Sequence, residues 1–155
     1  MPQLMYLESP LGRLTLVEEE GSLTHVVFAD SKLPPADYQK AETPLLKKVA
    51  KQLNEYFAGQ RRDFDLPLAP SGTEFQKECW QALCAIPYGQ TCSYGDIAKQ
   101  VGRPKAVRAV GQANHNNPIS VIIPCHRVIG ANGKLTGYGG GLDKKELLLN
   151  LEQRS

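Results

Sequence analysis

At 155 residues the chain can bury one substantial core or two small ones, and its apolar (41%) and charged (22%) fractions set aside disordered and fibrous classes. No apolar run nears the roughly eighteen residues that cross a bilayer, and Met1 to Gly12 lacks a basic-then-apolar leader, so a cytosolic, membrane-free location is expected. The net charge of +2 hides an asymmetry: residues 1–90 hold nine Lys or Arg against twelve Asp or Glu, and residues 91–134 hold six against Asp96 alone.

The first third reads as β. Leu4 to Glu8, Arg13 to Glu18 and Ser22 to Phe28 are β-prone runs, parted by the turn chemistry of Ser9-Pro10-Leu11-Gly12 and Glu19-Glu20-Gly21. Thr43-Pro44 reads as an N-cap with proline at the first helical position, and Leu46, Val49, Leu53 and Tyr56 or Phe57 follow at helical spacing up to Gly59. Asp63 to Leu68 is expected to form one more strand. Ala69-Pro70-Ser71-Gly72 marks a boundary, giving domains over residues 1–70 and 71–155.

Beyond it, Thr73 caps a helix with Phe75, Cys79 and Leu83 along one face, which makes Cys79 and Cys84 small apolar packers. Ser93 caps a short helix from Tyr94 to Val101. Gly102-Arg103-Pro104 turns the chain, and Lys105 to Ala113 forms a second helix. Two short helices joined by a glycine-containing turn make a helix-turn-helix pattern, although such turns also occur in plain bundles. Arg103, Lys105 and Arg108 sit where a DNA-binding element needs cations, so a polyanion met by this segment is one reading of the basic stretch. A surface kept soluble by its charge is the other.

Asn116-Asn117-Pro118 breaks the second helix. Ile119 to Ile123 is β-branched and is expected to be an extended, buried strand that delivers Pro124-Cys125-His126-Arg127. Only the thiolate of a cysteine is a nucleophile, and an adjacent imidazole with a nearby guanidinium favours it. Neighbours on a strand point to opposite faces, so a turn or a water has to connect Cys125 with His126. The other cysteines show no zinc-knuckle spacing, and neither a metal nor any other cofactor is expected.

The stretch NPISVIIPCHRVIG, with RAVGQAN before it and NGKLTGYGGGLDKKELLLNLE after it, closely resembles the O6-alkylguanine-DNA alkyltransferase family over about residues 73 to 152. The resemblance implies an α+β protein: a small ribonuclease H-like sheet-plus-helix domain, then a mainly helical, winged helix-turn-helix-like domain carrying the active-site cysteine. It implies direct-reversal repair of double-stranded DNA containing O6-alkylguanine, with O4-alkylthymine as a further substrate left open. The alkyl group passes irreversibly to Cys125, once per chain, from a flipped nucleotide. A monomer is expected, with cooperative loading on DNA left open.

The roles that follow from the resemblance are specific. His126, linked through a water and held by Glu152, draws off the thiol proton. Tyr94 assists guanine O6, and Asn117 braces the turn before the active-site strand. Arg108 fills the gap left by the extruded base, and Ser93, Arg103, Lys105, Ala109 and Arg127 complete the DNA-binding set. Val128, Tyr138, Gly139 and Gly140 line the base pocket with Tyr94. Read from the residues alone, each has a plainer alternative: Tyr94 as a core aromatic, Glu152 as a solvated charge on a terminal helix, Arg108 as a partner of phosphate or Asp96, Asn117 as a helix stop. Gly139 departs from the serine of many members, and no zinc-binding cysteine set precedes the core. A non-catalytic alkylated-DNA-binding protein is the rival function. A cysteine hydrolase is a weaker one, since it leaves the basic helix pair unexplained.

Overall fold

The computed structural model describes residues 1–130 and 141–154. The chain divides into two compact units, Met1–Pro70 and the remainder from Ser71.

In the first unit β1 (Gln3–Ser9), β2 (Gly12–Glu19) and β3 (Ser22–Phe28) form an antiparallel meander, and the sheet order is β3-β2-β1-β4. The β2–β3 turn places Glu20 and Gly21 both at positive φ (53° and 80°), the twist that two-residue hairpins favour. Leu14, Leu16, Leu23 and Val26 are fully buried. Helix α1 (Pro44–Phe57) packs on this sheet with Leu46, Val49, Leu53 and Tyr56, and the Thr43 hydroxyl accepts from Leu46 N–H at 3.1 Å.

The expected strand over residues 63–68 is not formed. Only Leu68 bridges to Leu23, because Pro67 has no N–H and the Gln52 side chain of α1 takes both backbone groups of Asp65, at 3.0 and 3.3 Å. The fourth strand is instead β4 (Gln39–Lys40), parallel to β1, held by Gln39 N–H to Pro2 O (2.9 Å) and Ala41 N–H to Leu4 O (3.0 Å). Two exposed polar residues carry no strand periodicity, so pattern reading passes over them.

In the second unit α2 (Glu74–Cys84), α3 (Tyr94–Gln100) and α4 (Val107–His115) pack together. The Trp80 indole N–H of α2 donates to Ala113 O of α4 at 2.8 Å across the buried interior. A reciprocal capping box starts α2: Thr73 Oγ1 accepts from Gln76 N–H (3.1 Å) and Gln76 Oε1 accepts from Thr73 N–H (2.9 Å). Thr73→Ala is expected to lower stability by about 1 kcal/mol with no loss of α-helical fold, measured by urea unfolding.

The turn between α3 and α4 uses Gly102 at φ 79°. The second helix starts later than its sequence suggests, at Val107 rather than Lys105. Ala106 N–H closes a turn on Arg103 O at 2.9 Å, which leaves Lys105 in the connection. Two further elements complete the unit: a two-stranded parallel sheet of β5 (Cys92–Ser93) and β6 (Val128–Ile129), and α5 (Leu142–Arg154). No described helix is long and apolar enough to cross a membrane.

Candidate active site

Ile119 to Ile123 is buried as expected, except Ser120, but it is not a strand. Ile122 N–H bonds back to Ser120 O, Ile123 N–H to Ile119 O, and Val121 sits at φ 70°, a costly conformation for a β-branched residue. Asn117 stabilises this coil from both ends: its Oδ1 accepts from Ile119 N–H at 3.0 Å and its Nδ2 donates to Ile123 O at 2.8 Å. The local side-chain bonds outcompete the β ladder that the composition favours. The coil ends in a single 3-10 turn, Cys125–Arg127, with Cys125 only 4% exposed. Because Cys125 and His126 lie on a helical turn, the opposite-faces geometry of a strand does not separate them. Asn114 of α4 donates to Cys125 O at 3.4 Å.

His126 is fully buried, and its Nε2 lies 2.7 Å from Glu152 Oε2. Burial lowers the His126 pKa, with the Glu152 hydrogen bond opposing it, so the ring is neutral at physiological pH. A carboxylate only accepts, so Nε2 carries the proton and Nδ1 is the basic nitrogen. That Nδ1 is buried and makes no hydrogen bond within the protein.

Glu152 lies on the buried face of α5, not in solvent. Its Oε1 accepts from Arg127 Nε at 2.9 Å and from Gly89 N–H at 3.2 Å, and its Oε2 also accepts from Arg127 Nη2 at 3.0 Å. Arg127, expected among the DNA contacts, is turned inward here. The residue is 6% exposed, and its guanidinium donates to Glu152 and to Ile86 O (2.7 Å) and lies over the Tyr88 ring at 5.6 Å. Its burial and its pairing with Glu152 let it serve the site from within.

Sequence reading missed Lys145. Its ammonium is fully buried and donates to Val128 O at 2.5 Å, directly beyond the cysteine turn. The one available signal was its spacing: Lys145, Leu148 and Glu152 share a helical face, and all three are buried.

The remaining thiols differ from Cys125 in setting. Burial pushes the Cys79 thiol up, and burial with the Asp96 charge pushes Cys92 up to about 11. Cys84, the last residue of α2, is exposed, against its reading as a packer. Among the described residues no group of His, Cys, Asp or Glu could hold a metal ion.

The pairing of Cys92 with Val128 and Ser93 with Ile129 brings the start of α3 beside the strand that leaves Cys125. Ser93 caps α3 with Asp96 in a reciprocal box, so Asp96 is not a partner for Arg108. Tyr94, at the first helical position, is half-buried; Val128 is fully buried. Arg103 lies 5.4 Å over the Phe75 ring, and Arg103, Lys105, Arg108 and Ala109 are all exposed along the turn and the first residues of α4. Tyr138, Gly139 and Gly140 lie outside the described residues.

Comparison with known proteins covers the chain at both ends. The family model for the 6-O-methylguanine DNA methyltransferase DNA-binding domain matches residues 74–154, and that for the ribonuclease-like domain of the same enzymes matches residues 4–70. A methylated-DNA–protein-cysteine methyltransferase of Methanosarcina acetivorans is 54% identical over 147 residues, 94% of each chain. The crystal structure of Mycobacterium tuberculosis O6-methylguanine methyltransferase superposes with a TM-score of 0.91 at 47% identity, covering 99% of this chain and 94% of the other. The same organism's OGT in complex with DNA gives 0.89 at 47% identity, over 99% and 92%. With a buried Cys125-His126 turn held by Glu152 behind an exposed basic helix pair, and with both domain models matched in order, this chain belongs to the O6-methylguanine-DNA methyltransferase family.

Proposed function

We propose that this protein repairs double-stranded DNA by transferring the alkyl group of O6-alkylguanine to Cys125, once per chain. The observation that carries the reading is the buried sequence Cys125, His126, Glu152, in which His126 is neutral and its basic nitrogen faces no other protein acceptor or donor. His126 Nδ1 accepts the thiol proton, through a bridging water. The sulfur then attacks the alkyl carbon from the side opposite O6; an S–C bond forms, the C–O6 bond breaks, and its electron pair leaves with guanine. Tyr94 donates toward O6 as that charge develops. The product thioether is a poor leaving group, so the chain is spent. Side chains of the protein and one bridging water account for the transfer.

An alkyl carbon within stacked duplex is out of reach, so the nucleotide has to be extruded at a cost of a few kcal/mol. Arg108 and Ala109, exposed at the start of α4, fill the vacated stack and support it, and Ser93, Arg103 and Lys105 meet the flanking phosphates. Val128 and, outside the described residues, Tyr138, Gly139 and Gly140 read the extruded base. One chain acts alone, on DNA in the cytoplasm, in keeping with four free cysteines.

The test is intact-protein mass after mixing with an equimolar duplex that carries one O6-methylguanine. A gain of one methylene per chain, mapped to the Cys125 peptide and stopping there, supports single-use transfer. Retained lesion binding without mass gain replaces it with a recognition protein. Arg108→Ala is expected to slow transfer from duplex about tenfold or more while leaving reaction of the Cys125 thiol with iodoacetamide unchanged; equal duplex kinetics would remove Arg108 from base extrusion.

A further inference from the structure

The catalytic turn is packed by α2 and α5, and charged groups of α5 and of the turn itself form one buried cluster. From α5 come Lys145 and Glu152, and the turn itself brings Cys125, His126 and Arg127. From α2, Cys84 lies within the field of Arg127. Within this set, Arg127 and Glu152 form a bidentate pair whose charges cancel. His126 is held neutral. Lys145 brings a further cation into the same interior.

Burying a lysine ammonium is expensive, and its hydrogen bond to Val128 O is one contact that offsets the cost. At the Lys145 position an uncharged residue of similar length would pack without that cost. The ammonium bonds Val128 O, and Val128 N–H in turn bonds Cys125 O across the cysteine turn. Lys145 is therefore two hydrogen bonds from the nucleophile's own backbone.

We propose that Lys145 is a positioning residue for the alkyl transfer, acting as the buried counter-charge that makes the Cys125 thiolate affordable in an apolar interior. When the thiol gives up its proton to His126, the new anion forms opposite an ammonium already fixed in place by the fold. Because that charge does not have to reorganise, it lowers the cost of the thiolate at the moment of reaction. Once the sulfur is alkylated the anion is gone, and the attraction disappears with it.

Interaction between the two groups is reciprocal. Burial lowers the Lys145 pKa from its ordinary 10.5, and the Cys125 charge acts in the opposite sense, favouring the ammonium. The same coupling must favour the thiolate when the ammonium is present. The inference rests on the alkyl-transfer reading for its purpose, yet its test needs no DNA, so the two fail separately.

The experiment is the rate of Cys125 carboxamidomethylation by iodoacetamide against pH, read by peptide mass so that Cys79, Cys84 and Cys92 do not contribute. Sulfur–carbon bond formation expels iodide, and the rate follows the thiolate fraction. In Lys145→Met the midpoint of the profile is expected to rise by about one pH unit or more, with the high-pH plateau unchanged. A folded variant whose midpoint stays with that of the unsubstituted protein overturns the proposal, as does a lowered plateau with an unmoved midpoint, which marks a purely structural role. Lys145→Gln is the second variant, equal in the number of side-chain heavy atoms and more polar. If neither folds, the unsubstituted protein decides: with carbon-13-labelled lysine, the Lys145 ε-carbon should titrate at lower pH after Cys125 is alkylated. An unchanged Lys145 titration overturns the assignment.

Discussion

Replacing Glu152 with alanine should lower the unfolding free energy by about 3–5 kcal/mol, a large share of what holds a domain of this size together. The carboxylate accepts from His126, twice from Arg127 and from Gly89 N–H. Its removal leaves the Arg127 guanidinium buried without its counter-ion and takes the orienting partner from His126. The cost is therefore that of stranding a charge, not that of losing a surface pair. Urea unfolding measures it, and a loss under about 1 kcal/mol would show that the pair is not desolvated as described. Glu152→Gln separates shape from charge, since it keeps the volume of the side chain and still strands the guanidinium.

The same cluster gives the protein a defined response to acid. Folded His126 has a pKa below its ordinary 6.5 because it is buried. The unfolded chain therefore binds a proton first, so stability from this group is fully present above about pH 6.5 and is lost as pH falls through the folded value. Midpoints of urea unfolding taken across that window should decline on the acid side, and His126→Gln should flatten the decline.

The second large effect is on chemistry. Cys125→Ser should reduce alkyl transfer by at least about a thousandfold, since a serine hydroxyl has no accessible anion and His126 alone does not supply one. The substitution nearly preserves volume at a site 4% exposed, so the fold survives at a cost of about 1–3 kcal/mol for the buried hydroxyl. Binding to lesion-bearing duplex should persist, because Arg103, Lys105 and Arg108 lie on an exposed surface that the substitution does not touch. Mass analysis of Cys125→Ser after incubation with methylated duplex checks both statements. Methylation of exposed Cys84 in that variant would show that burial and the imidazole are not what select the acceptor.

Much was legible in the sequence because it rests on local physics. The meander follows from β-prone runs and turn residues at fixed offsets, and α1, α2 and α3 start where Thr43, Thr73 and Ser93 offer a hydroxyl to an unsatisfied N–H. The cysteine, its imidazole and the family resemblance are adjacent in the chain, so no folding information was needed to find them. Two of the elements that differ are those where a side chain displaced the expected backbone pairing. Gln52 took the backbone of Asp65 and removed a strand, and Asn117 closed Ile119 to Ile123 into a coil despite its β-branched composition.

What only the tertiary structure decided is which charges are buried and with whom. Glu152 and Lys145 look like ordinary members of a polar terminal helix, and Arg127 looks like one more cation in a basic segment. Ionic contacts between residues 25 positions apart, as for Arg127 and Glu152, depend on how α5 returns to the cysteine turn, which no local pattern encodes. Sequence alone placed the Cys125-His126-Arg127 run a short way after a basic helix pair and carried the family resemblance. The fold decided that the arginine beside that cysteine faces inward, where a buried carboxylate keeps its charge from being stranded away from water.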